Sequence, residues 1–123
     1  MIDNPRIKIH LFKKDDPFLS FNRGDVIFSQ GDLGDEMYIV RVGRVELRIG
    51  ENLLYTVDQD EVFGEMAIVD DSPRSATAIA LEDCQVVAVG QKRFLQAVQA
   101  NPVFAFLMLK VLSHRLRATN AVL

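Results

Sequence analysis

The clearest pattern in the chain is the alternation Val45-Glu46-Leu47-Arg48-Ile49, which places Val45, Leu47 and Ile49 on one face and the charges on the other. A period of two is the signature of a half-buried strand. Similar short β-prone runs begin at Phe18 and are cut by glycines at 24, 31, 34, 43 and 50. Such punctuation predicts strands over 18–22, 25–29, 36–42, 44–49, 53–57, 61–63, 75–80 and 84–89. Gly43 and Gly50-Glu51-Asn52 read as hairpin turns, and Gly31 and Gly34 as turn residues. Eight short antiparallel strands folding onto themselves make a mainly β molecule, a jelly-roll-like barrel or double-stranded β-helix, rather than a parallel sheet.

After Gly90 the period changes. Residues 92–100 carry Phe94, Leu95 and Val98 at helical spacing, and Asn101-Pro102 closes that helix. Asn101 suits the cap of a second helix with Pro102 at its first position, where a missing N–H costs nothing. This helix is expected over 102–120, roughly 28 Å long at 1.5 Å per residue. Residues 103–109 are apolar all round, so one face is left over after packing on the barrel. Leu109, Leu112, Leu116, Thr119 and Leu123 continue a stripe with the spacing of a coiled-coil seam, and a single helix lying across the barrel is the plainer reading of it. Residues 1–17 read as a lead segment with a helical turn over 7–12, ahead of a roll over 18–89 and C-terminal helices over 91–123 in a single domain.

Composition narrows the functional classes. With 49% hydrophobic and 25% charged residues the chain is ordinary globular material. A net charge of −3 has the wrong sign for a dedicated nucleic-acid binder. Cys84 is the only cysteine, which excludes an internal disulfide and predicts a small buried side chain on a strand. The N-terminus lacks a basic start followed by an apolar run, and the longest apolar run, 103–109, falls short of the ~20 residues that cross a bilayer. A cytoplasmic protein without membrane contact is the expectation. A metal enzyme of cupin type needs several histidines converging inside the barrel. Only His10 and His114 exist, both outside the strands, so no metal ligands and no catalytic residues are assigned.

The chemistry concentrates between Phe63 and Thr77. The segment reads as a strand end at Phe63, a tight turn at Gly64, a short helix from Glu65, a polar loop, and a return strand. Gly64 removes bulk where a helix start exposes unpaired N–H groups, so a small anion is favoured there. Arg74 adds a fixed charge with a fork of donors suited to a phosphate, and Ser75 a hydroxyl. A carboxylate at Glu65 beside such a pocket makes sense facing a neutral donor, and a ribose 2′-hydroxyl is one. Anion plus sugar hydroxyl points to a nucleotide. A loop arginine paired with Asp70 or Asp71 is the plainer alternative.

Phe63-Gly64-Glu65-Met66-Ala67-Ile68 followed by Pro73-Arg74-Ser75-Ala76-Thr77 resembles the phosphate-binding cassette of the cyclic nucleotide-binding domain family. A second stretch is similar to the family upstream: Gly24-Asp25-Val26-Ile27-Phe28, Gln30-Gly31-Asp32, Gly34-Asp35, Met37-Tyr38-Ile39-Val40, Gly43 and Val45-Glu46. Together the two cover about half the chain. The resemblance implies a non-enzymatic sensor that binds cAMP, or less favourably cGMP, as a regulatory ligand and not as a cofactor. It implies ligand contacts from Phe63, Gly64, Glu65, Met66, Ala67, Pro73, Arg74, Ser75 and Ala76. The bacterial regulators of this type pair through the last helix, so the resemblance implies a homodimer. That helix ends in a run like Arg115-Leu116-Arg117-Ala118-Thr119-Asn120, whose Thr119 and Asn120 then reach the base, one of them across the dimer. Serine at 75 suits the bacterial cAMP type but also carries the hydroxyl of the cGMP type. Those regulators continue into a DNA-reading helix-turn-helix; this sequence ends at Leu123, so direct DNA binding is not expected. A degenerate roll serving only dimerisation or partner binding is the remaining alternative, and the intact Gly64, Glu65 and Arg74 weigh against it.

Overall fold

The computed structural model describes residues 6–122. Eight strands form two four-stranded sheets, wholly antiparallel. They are β1 (Leu19–Phe21), β2 (Val26–Phe28), β3 (Met37–Val42), β4 (Val45–Ile49), β5 (Asn52–Val57), β6 (Val62–Phe63), β7 (Thr77–Ala80) and β8 (Cys84–Val89). One sheet has the order β1-β8-β3-β6 and the other β2-β7-β4-β5. The sheets lie face to face without closing into a continuous barrel. Three helices complete the fold: α1 (Met66–Val69), α2 (Gln91–Ala100) and α3 (Pro102–Val122).

The eight expected strands all form, each within two residues of its predicted ends, and Val45 and Leu47 of β4 point inward as the alternation requires. The interior between the sheets holds Phe28, Val40, Val45, Leu47, Leu54, Val57, Phe63, Ala76, Ala78, Ala80, Cys84 and Val86. A second core lies outside the first sheet, where Met37, Ile39, Val62 and Val89 meet Ile68 of α1 and Phe104, Met108 and Val111 of α3. Strands β3 and β8 are therefore buried on both faces. This explains the continuous apolar runs Met37–Val40 in β3 and Val86–Val89 in β8, whereas β4 alternates.

Two expectations change. Residues 7–12 form no helical turn. They run extended, with the Ile9 N–H donating to the Asp60 carbonyl at 2.7 Å, and Ile7, Ile9 and Leu11 alternate toward the second core. The alternation of that segment has a period of two, which its mixed composition hid. Residues 75 and 76 are not in a strand. The Arg74 N–H donates to the Asp32 carbonyl and the Gly31 N–H to the Arg74 carbonyl, both at 2.8 Å, so the chain is held by the 29–32 loop before it enters β7. At the α2–α3 junction Asn101 caps as expected, its Oδ1 accepting from the Val103 N–H at 3.1 Å.

Candidate functional site

Between the roll, α1 and α3 opens a cavity of about 150 Å³. It is lined by Gly64, Glu65, Met66, Ala67, Pro73, Arg74, Ser75, Ala76 and Thr119 from the expected set, together with Phe28, Leu47, Leu54, Tyr55, Asp70, Ser72, Arg115 and Leu116. Phe63 and Asn120 are not in this lining. Phe63 is fully buried beneath it, stacked against Tyr38 (5.3 Å) and Phe28 (5.9 Å), and Asn120 is exposed on α3.

Gly64 makes the turn into α1 with φ +72, a conformation that costs other residues. The Ala67 and Ile68 N–H groups return to the Gly64 and Glu65 carbonyls (3.2 and 3.1 Å), and α1 ends four residues on. The N–H groups of Glu65 and Met66 are not spent in this way, so they are the amides at this turn open to an anion.

Arg74 is 93% buried (7% exposed). Its guanidinium lies 4.2 Å from the centre of the Phe28 ring and 5.6 Å from that of Tyr38, and its Nη1 donates to the Gly64 carbonyl at 3.2 Å. The expected alternative, an ion pair with Asp70 or Asp71, does not form among the described residues. Its Nε is buried with no partner. A buried cation with an orphaned donor and no carboxylate is costly unless an anion completes it.

Glu65 is also buried, and its Oε1 accepts from Arg115 Nη1 of α3 at 2.6 Å. Arg115 in turn lies over the Tyr55 ring, 4.2 Å from its centre. A carboxylate has about four lone-pair sites, so this pair leaves capacity for a sugar hydroxyl. The Tyr55 hydroxyl is held protonated well into the alkaline range, by burial first and by the Glu65 charge second, with Arg115 opposing. The Thr119 hydroxyl donates to the Arg115 carbonyl at 3.0 Å. The cavity thus has a cationic end at Arg74, an acid at Glu65, and an apolar and aromatic wall ending at α3.

Sequence reasoning passed over Arg115, Tyr55 and Phe28. Arg115 stood within the recognised C-terminal run, but nothing in its spacing showed that it would reach Glu65, fifty residues earlier. Tyr55 lies inside the expected strand 53–57 and Phe28 inside 25–29 and the upstream family-like stretch, and nothing in their spacing marks either as cavity lining.

The cyclic nucleotide-binding domain family model matches residues 18–101. The chain belongs to this family. A cyclic AMP receptor protein of Thermus thermophilus is 35% identical over 105 residues, which are 81% of this chain and 49% of that protein. The chain therefore spans about half the length of that curated relative. The crystal structure of the Thermus thermophilus catabolite activator protein superimposes with a TM-score of 0.73 at 34% identity, over 85% of this chain and 52% of the other. The EAL enzyme Bd1971 is similar in both its cAMP-bound form (TM-score 0.64, 34% identity, 85% of this chain and 29% of that one) and its cGMP-bound form (TM-score 0.63, 34% identity, 82% and 28%). This chain is thus a cyclic nucleotide-binding regulatory domain by family. Among the described residues no helix is long and apolar enough to cross a membrane, and no cluster of His, Cys, Asp and Glu could hold a metal.

Proposed function

We propose that this domain binds a cyclic nucleotide in the cavity between the roll and α3, cAMP in preference to cGMP, and reports its presence through α3. The phosphate meets Arg74 and the amides of Glu65 and Met66, and the ribose hydroxyl meets Glu65. The single observation that carries this reading is Arg74, a buried cation in the cavity lining whose Nε has no partner. The base then lies toward Tyr55, Arg115 and Thr119. Because Glu65 is already bonded to Arg115, a hydroxyl that engages the acid acts directly on α3. Ligand binding favours whichever position of α3 lets both partners keep Glu65, and this difference in affinity is the coupling. The exposed residues Val103, Phe106, Leu109 and Leu116 of α3 fit a homodimer seam in a cytoplasmic regulator with no enzymatic activity in this domain. Thr119, which lines the cavity, meets the base within one chain in this reading, and Asn120 acts across that dimer.

Calorimetry with cAMP and cGMP tests the reading. Arg74→Ala removes one side of a desolvated charge pair, which costs about 2–5 kcal/mol. The expected loss of affinity is roughly 30- to several-thousand-fold. Wild-type protein that takes up neither nucleotide at millimolar concentration would leave the degenerate, ligand-free roll as the correct description.

A further inference from the structure

Gly34 was expected to be a turn residue, but its φ lies outside the left-handed region, unlike Gly24, Gly31, Gly43, Gly50 and Gly64. Backbone geometry therefore does not explain a glycine here. Space does. A β-carbon at 34 would lie 2.6 Å from Arg74 Nη2, 2.7 Å from Nε and 2.9 Å from Cζ, so its three nearest neighbours are all guanidinium atoms. On another side of the same group, a β-carbon at Gly64 would lie 2.9 Å from Nη1. The guanidinium Cζ sits over the Phe28 ring, 4.2 Å from the centre. The guanidinium is thus held in a slot with an aromatic floor and two walls that lack side chains.

We propose that Gly34 is a positioning residue for Arg74: the missing side chain keeps the slot open, so the guanidinium stays over Phe28 and the unpartnered Nε keeps its place for an incoming phosphate. This rests on the reading of Arg74 as the phosphate anchor. The three atoms nearest a β-carbon at 34 all belong to the far end of a flexible arginine, so the guanidinium is what gives way first. Cation–π contact with Phe28 is lost together with the alignment of the donor fork. Alanine shifts the head group slightly. Valine expels it from the slot.

The test pairs two measurements on wild type, Gly34→Ala and Gly34→Val: the Arg74 Nε–H resonance in ligand-free protein, and affinity for cAMP and cGMP by calorimetry. In wild type the resonance is displaced by the Phe28 ring. The expected result is a graded return toward the free-arginine position, in step with affinity falling several-fold for alanine and at least thirty-fold for valine. A loss of affinity without movement of the resonance, a moved resonance with unchanged affinity, or no change in either overturns the proposal. Should Gly34→Val fail to fold, Gly34→Ala decides by the same criteria. If wild type binds neither nucleotide, the sensor reading fails first; the Nε–H shift in Gly34→Ala then supports the slot or, if absent, overturns it too.

Discussion

At the scale of single residues, the molecule places its most constrained side chains where a charge or a glycine has no substitute. Gly43 has φ +94, and a β-carbon there would lie 2.5 Å from the Asp83 carbonyl oxygen and 2.8 Å from Cys84 Sγ. Backbone strain of about 1–3 kcal/mol then adds to a clash with main chain that cannot step aside. Gly31, at φ +91, faces open space. Gly43→Ala is expected to lower the urea midpoint clearly more than Gly31→Ala, and equal shifts would show that the Asp83 contact is unimportant. The Glu65–Arg115 pair makes a second prediction. Removing one member of a buried pair strands the other charge, at about 3–5 kcal/mol. Glu65→Gln should therefore be strongly destabilised in denaturant titrations. Adding Arg115→Met to it should recover part of the loss, because no buried charge is then left alone.

The elements divide into those that build the roll and those that respond to the cavity. Short α1 carries Ile68 into the same core as Phe104, Met108 and Val111 of α3, so the cassette and the last helix share packing as well as the Glu65–Arg115 bond. Helix α3 is asymmetric. Phe104, Met108, Val111, Arg115 and Ala118 are buried, while Val103 (60%), Phe106 (56%), Leu109 (64%) and Leu116 (56%) stay exposed. A row of large apolar side chains left in water is unusual for a monomer. If this face is the dimer seam proposed above, Leu109→Arg should convert a dimer into a monomer in light scattering at micromolar concentration. A wild-type protein already monomeric under those conditions would exclude the seam.

For the molecule as a whole, alkaline pH should act through the two tyrosines. Burial raises Tyr38, with Arg74 opposing, and raises Tyr55 further. A hydroxyl that holds its proton more tightly when folded contributes stability below the ordinary tyrosine pKa near 10, and that contribution is lost as pH climbs through the raised value. Phenolate absorbance at 295 nm is thus expected to lie below half of its full value at about pH 10, where a free tyrosine is half ionised, and to rise further with unfolding. Half-titration near pH 10 in folded protein would contradict the burial of both rings. Much of this molecule could be read from its residues alone. Strand positions, the helix pair and the 63–77 cassette follow from local periodicity, from Gly and Pro conformations, and from a motif contiguous in sequence. The extended course of residues 7–12, the bond between Glu65 and Arg115 and the seat of Arg74 against Gly34 and Phe28 could not. Each depends on which segments the two sheets bring within a few ångströms of one another, and local sequence pattern carries no record of such long-range distances.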